Sequence, residues 1–220
     1  MVLSGNTLYG TAPIGGGYAN GTVFAVNTDG TGSTNLYSFT ALSGPSFSTN
    51  SDGAYPRAGL ILSGNTLYGT ASLGGSGGSG TVFALNTDGT GFTVLHGFTG
   101  SSTNSSGFYT NSDGANPNGG LILTNNTLYG TASEGGTNGS GTVFSILIQP
   151  QLTLTPSGPY VILTWPTNYS RFTLQSTTNF GSSAVWSTNP SPPVVIGGEN
   201  VVINTMTGRQ QFFRLSGPLP

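Results

Sequence analysis

Every aspartate of this sequence lies in one tetrapeptide, Asn-x-Asp-Gly. It occurs as Asn27-Thr28-Asp29-Gly30, Asn50-Ser51-Asp52-Gly53, Asn86-Thr87-Asp88-Gly89 and Asn111-Ser112-Asp113-Gly114. Calcium loops place oxygen ligands at alternate positions ahead of a glycine, and Ca²⁺ takes about six to eight oxygens. Asp29, Asp52, Asp88 and Asp113 are therefore calcium candidates. The extra carboxylates and distal Glu of an EF-hand loop are missing in register. A turn explains the pattern more simply: Asp-Gly supplies positive φ at a hairpin, and the Asn side chain caps it. On that reading the protein needs no cofactor.

The remaining chemistry is sparse. His96 is the only histidine. Its counterpart one repeat earlier (96 − 59) is Tyr37, so the position wants a flat ring with a polar tip rather than a metal ligand or general base. Glu134 corresponds to Leu73 and Ile14, which argues against a repeated catalytic carboxylate. Gly74 to Gly80 is glycine-rich, but no Lys follows and no helix opens after it, so it is not a phosphate cradle. Tyr9, Tyr68 and Tyr129 recur once per unit, and Trp165 and Trp186 lie further on. Tyr68 and Trp186 are the candidates for stacking on a sugar, against packing roles in each case. A nucleophilic triad needs a base beside Ser or Cys, and glycoside hydrolysis needs two carboxylates about 5–9.5 Å apart. Neither set assembles, so the sequence reads as non-catalytic.

These residues sit in a tandem repeat. Asn6-Thr-Leu-Tyr-Gly10 with Gly21-Thr-Val-Phe24 returns as Asn65 to Gly69 with Gly80 to Phe83, and as Asn126 to Gly130 with Gly141 to Phe144. The spacings are 65 − 6 = 59 and 126 − 65 = 61 residues. In the second copy, short β-branched and aromatic runs at 59–63, 66–71, 81–86 and 92–98 alternate with Gly, Asn and Asp gaps. Four antiparallel strands per unit of about 60 residues predict β-propeller-like blades, whereas a solenoid coil would have a period of roughly 20–30. Val82 and Ala84 oppose Phe83 and Leu85, so both faces of that strand are apolar, as in a sheet between sheets. The third copy departs after Phe144, where Ser145-Ile-Leu-Ile-Gln-Pro150 replaces the hairpin. Two full blades and a partial third leave apolar faces that further repeats or self-association are expected to cover.

From Gln151 onward the chemistry changes. Runs at 151–155, 160–165, 171–176, 184–187, 194–204 and 210–215 predict a small β-sandwich of immunoglobulin or fibronectin type. Val161, Leu163 and Trp165 share one of its faces. The expected fold is all-β, with a partial propeller-like stack over 1–148 and a sandwich over 149–220.

Only 5% of the 220 residues are charged, with four Lys+Arg, six Asp+Glu and a net charge of −2. Without a basic cluster, nucleic acid and anionic membrane surfaces are excluded as partners. No apolar run is long enough to insert in a membrane, and cysteine is absent. Met1-Val-Leu-Ser4 has no signal-peptide character, so the chain is expected to be a fragment of a longer one.

The Asn-Thr-Leu-Tyr-Gly-Thr, Gly-Thr-Val-Phe and Asn-Thr-Asp-Gly-Thr strings resemble the GloVer tandem repeat of large bacterial surface or secreted proteins, which have varied C-terminal anchors. The resemblance covers roughly residues 1–148. The tail, with Leu163-Thr-Trp165, Phe172-Thr-Leu-Gln175, Trp186 and Gln211-Phe-Phe-Arg-Leu215, is similar to a C-terminal sandwich module of such proteins. The resemblance implies an extracellular or cell-surface location and brings no reaction and no functional residues. The expectation is a non-catalytic structural or adhesive protein whose partners are an extracellular glycan or cell-surface protein. The alternative is a carbohydrate-binding module using aromatic side chains on loops.

Overall fold

The computed structural model describes residues 1–44, 48–167, 172–189, 191–206 and 210–217. The fold is all-β, and the described residues form six small antiparallel sheets. The chain divides into two compact units, Met1–Ile146 and Leu147–Pro220.

In the first unit, β1 (Val2–Ser4), β2 (Thr7–Ala12), β3 (Thr22–Asn27) and β4 (Thr34–Ser38) form sheet one in chain order. Sheet two repeats it as β5 (Ile61–Ser63), β6 (Thr66–Ala71), β7 (Thr81–Asn86) and β8 (Thr93–Gly97). The register repeats as well. Gly10 pairs with Phe24 as Gly69 pairs with Phe83, and both sheets carry a bulge at the same point, Val23/Phe24 and Val82/Phe83. A small hairpin, β9 (Ser102–Thr103) with β10 (Tyr109–Thr110), was not legible as strand. It forms where Asn104 Oδ1 accepts the N–H groups of Ser106 and Phe108. Sheet three has three strands, β11 (Ile122–Thr124), β12 (Thr127–Ala132) and β13 (Thr142–Leu147). It stops there because the third copy lacks the Asn-Thr-Asp-Gly hairpin that turns β3 into β4 and β7 into β8.

The glycine of each Leu-Tyr-Gly string is needed for clearance. A Cβ at Gly69 would lie 2.6 Å from Phe83 Cζ and 2.8 Å from Leu60 Cδ2. At Gly10 and Gly130 it would meet Phe24 and Phe144 at 2.6 and 2.4 Å. The phenylalanine ring of one strand lies across the bare backbone of its neighbour, an aromatic cover for a glycine in a strand interior.

Sheets one and two share one buried cluster. Tyr9, Val23 and Ala25 from sheet one meet Leu67, Phe83 and Leu85 from sheet two, with Phe39 and Leu60 between them. Phe39 packs edge-on to Phe83 at 5.4 Å, and Tyr37 stacks on Phe92 at 3.8 Å. Phe98 repeats the edge contact on Phe144 at 5.2 Å, joining sheet two to sheet three. β7 is accordingly buried on both faces, Val82 as fully as Phe83 and Leu85.

The second unit holds β14 (Thr153–Ser157), β15 (Tyr160–Pro166), β16 (Thr173–Thr177), β17 (Ser187–Thr188), β18 (Val194–Ile196), β19 (Glu199–Thr205) and β20 (Phe212–Ser216). They form two sheets, in the orders β14-β15-β19-β18 and β17-β16-β20. Val161, Leu163 and Trp165 are all buried, as the alternation of β15 predicts, together with Val202 and Leu174. Arg171, expected to begin the third strand of this region, lies outside the described residues.

Candidate functional site

The four Asn-x-Asp-Gly strings divide into two kinds. Those at Asp29 and Asp88 are the hairpins β3–β4 and β7–β8. In the first, Asp29 Oδ1 accepts Thr31 N–H at 2.9 Å and Thr31 Oγ1–H at 2.7 Å, and Gly30 has φ +84°. Asp88 repeats this with Thr90 at 2.9 and 2.7 Å. The hydroxyl and amide donors hold both carboxyls below the usual carboxylate range.

Asp52 and Asp113 are not in hairpins, which corrects the uniform turn reading. They lie in the connectors that lead from one sheet to the next. Asn50 Nδ2 donates to the carbonyls of Thr40 (3.1 Å) and Gly53 (2.7 Å), and its Oδ1 accepts the N–H groups of Gly53 (2.9 Å) and Gly75 (2.8 Å). Thr40 follows sheet one, and Gly75 lies in the β6–β7 loop of sheet two, so one amide spans two sheets. Asp52, 3% exposed, accepts Tyr37 Oη–H at 2.8 Å, Thr40 N–H at 2.9 Å and the Thr40 hydroxyl. Its backbone carbonyl accepts Thr81 Oγ1–H from β7 at 3.0 Å. Burial, and then the bond to Asp52, push the Tyr37 phenol upward.

The second connector copies the first. Asn111 Nδ2 donates to Thr99 and Gly114 carbonyls at 2.9 and 2.6 Å, and its Oδ1 accepts Gly114 and Gly136 N–H, both at 2.8 Å. Asp113 accepts Thr99 N–H and the Thr99 hydroxyl, and its Oδ2 lies 3.0 Å from His96 Nε2. Thr142 Oγ1–H reaches the Asp113 carbonyl at 2.9 Å. The backbone adds Tyr55 N–H to Asn20 and Asn116 N–H to Ser79, at 2.8 and 2.9 Å. At the first connector these bonds satisfy polar groups that two packed sheets would otherwise bury unpaired, while at the second the bonds of Thr99 are exposed to solvent. Gly53 and Gly114, at φ +105° and +106°, let the chain turn against Thr81 and Thr142 where a Cβ would collide.

The aspartates are thus distributed over four separate places and each is bonded within the protein. Among the described residues no group of three or more His, Asp or Glu could hold a metal ion. Tyr68 lies within β6 and is 1% exposed, so it presents no ring face to a sugar; the interior of the sheet stack claims it instead. Trp186 is half-buried, and the Arg214 guanidinium sits 4.3 Å over its ring. Arg214 also donates to Gln175 Oε1 at 2.9 Å. Glu134 contributes only its backbone, paired with Ala115. Beside His96 is an open cavity of about 230 Å³, lined also by Asp113, Thr142 and Phe144. The exposed ring pair Phe108 and Tyr109 went unnoticed in the sequence, where the β9–β10 hairpin has no repeat counterpart to flag it.

Taken together, the fold and the bonding of its few charged side chains define a bacterial tandem-repeat all-β protein without a catalytic metal-binding or cysteine motif among its described residues. The chain belongs to the Gloeobacter/Verrucomicrobia repeat family, whose pattern matches residues 1–155. No curated protein matches the sequence. Among solved structures, that of a "putative 6-phosphogluconolactonase" from Bacteroides uniformis aligns at 12% identity with a TM-score of 0.35. The alignment covers 85% of this chain and 54% of the other, so this chain spans about half the length of that protein. No helix among the described residues is long and apolar enough to cross a membrane.

Proposed function

We propose that the chain is a non-catalytic extracellular structural or adhesive protein. Its sheets act as blades of a propeller-like stack, and its C-terminal unit is a sandwich that serves as spacer or attachment module. One observation carries the reading: the residues best suited to chemistry, Asn50, Asp52, Asn111, Asp113 and His96, are all bonded across sheet-to-sheet connectors. A scaffold held by apolar burial and by carboxylate and amide hydrogen bonds made at contact distance is little affected by ionic strength, since screening acts mainly on charges separated through solvent. That suits a cell-surface setting.

Carbohydrate binding is the second reading, favoured by Phe108 and Tyr109 standing exposed on a hairpin, the aromatic-on-loop arrangement that sugars stack against. A glycan array with the intact chain separates the two. A blank array, with adhesion to intact bacterial cells retained, supports the scaffold. Binding that disappears in Tyr109→Ala or Trp186→Ala supports recognition of sugar and overturns the scaffold reading.

A further inference from the structure

The apolar faces of the three sheets follow a strict order. In sheet one, Val2, Tyr9, Ala25 and Val23 face sheet two, which answers with Leu62, Leu67, Leu85 and Phe83. The other face of sheet two carries Ile61, Tyr68, Ala84 and Val82, the counterparts of the first set, and here Tyr68, Ala84 and Val82 are buried and Ile61 half-buried. Sheet three presents the same set once more, as Ile122, Tyr129, Ser145 and Val143, and here it is bare. Val143 is 79% exposed where Val23 and Val82 are at 0%, and Ile122 and Tyr129 are 68% and 41% exposed. At the opposite end, sheet one shows solvent the answering set. Leu3 and Leu8 pair across β1–β2, Leu8 and Val26 across β2–β3, and Phe24 lies beside them. Leu3 is 56% exposed and the other three are half-buried.

We infer that this chain associates head to tail with a second copy of itself, the Ile122-Tyr129-Val143 face of one copy receiving the Leu3-Leu8-Phe24-Val26 face of the next. The two faces are the unmatched halves of an interface that the chain already makes internally, in the same register. None of the residues named on either face has a charged side chain to oppose contact. Because the two halves differ, the contact is heterologous, so successive copies close a ring or extend as a filament. This inference goes beyond the functional reading and is independent of what the scaffold binds.

The test uses the intact chain and two surface variants, Val143→Glu and Leu3→Glu, in sedimentation at increasing concentration. Wild type is expected to gain mass with concentration, and each variant alone to stay monomeric with unchanged circular dichroism and melting temperature. An equimolar mixture of the two is expected to form dimers and nothing larger, because one intact half remains on each. An Ile14→Glu control, at an exposed loop position whose third-copy counterpart is Glu134, is expected to associate like wild type. A wild-type monomer at every concentration, a mixture that stays monomeric, or loss of association in the Ile14 control would overturn the inference.

Discussion

His96 Nε2 stands 3.0 Å from Asp113 Oδ2, in the place where Tyr37 Oη reaches Asp52 Oδ2 at 2.8 Å one repeat earlier. An imidazole and a phenol thus do the same work, carrying a ring edge against a phenylalanine and a polar tip to a connector carboxylate. Tyr37 meets Phe39 at 5.3 Å and 84°, and His96 meets Phe98 at 4.8 Å and 88°. His96→Tyr is therefore expected to hold the melting temperature, shifting stability by about 0.5 kcal/mol or less. His96→Phe leaves Asp113 short of a partner and is expected to cost about 1–2 kcal/mol in urea denaturation. Equal stability of the two variants would remove the hydrogen bond from this account.

The connector asparagines predict a larger effect. Asn50→Ala or Asn111→Ala strands donors and acceptors on two sheets at once and is expected to cost about 2–3 kcal/mol. Asn35→Ala, exposed and bonded only to Ser38, is expected to change stability by about 0.5 kcal/mol or less. Thermal unfolding of the three variants checks this. Similar losses in all three would mean that the connectors do not hold the sheets together.

A steric prediction concerns Gly69. Alanine there must displace the Phe83 ring or Leu60, and overpacking of this kind costs about 1–3 kcal/mol. Gly120→Ala meets nothing within 4 Å and is expected to be silent. Chemical denaturation distinguishes the two, and a silent Gly69→Ala would contradict the ring-over-glycine packing.

Alkaline pH should weaken the first connector. The Tyr37 phenol is raised above its ordinary value of 10.0 by burial and by Asp52, so the folded state holds its proton more tightly than the unfolded chain. The stabilisation this represents is fully present below pH 10 and declines as pH rises beyond it. Urea midpoints compared at neutral and strongly alkaline pH should fall more for wild type than for Tyr37→Phe. Parallel declines would sink the assignment. For Asp29 and Asp88 the sign is reversed: their lowered values place the loss of hairpin stabilisation on the acid side of 3.8.

Calcium should have no effect. The connector carboxylates accept Tyr37, Thr40, Thr99 and His96, and the hairpin carboxylates accept Thr31 and Thr90. Melting temperatures in millimolar Ca²⁺ and in chelator are expected to coincide, and a rise with the metal would show that ligation outcompetes these bonds.

The strands of the repeat and the two Asn-Thr-Asp-Gly hairpins were legible in the sequence because both follow from local chemistry, whereas the β9–β10 hairpin and the run at 184–187, strand only from Ser187, were not. β-Branched and aromatic runs set the extended segments, Asp-Gly supplies positive φ, and a spacing of about 60 residues shows one sheet repeated. The equivalence of Tyr37 and His96 was also legible, since substitution within a repeat reveals what a position tolerates. Tertiary structure decided the rest. Asn-Thr-Asp-Gly and Asn-Ser-Asp-Gly look alike locally, yet two close hairpins and two bridge sheets, because a carboxylate takes whichever donors packing brings near. Tyr68 and Tyr129 share the same pentapeptide, but one is interior and the other exposed. Burial belongs to the neighbour that a sheet acquires, and only the stacking of whole sheets determines which sheet has a neighbour on each side.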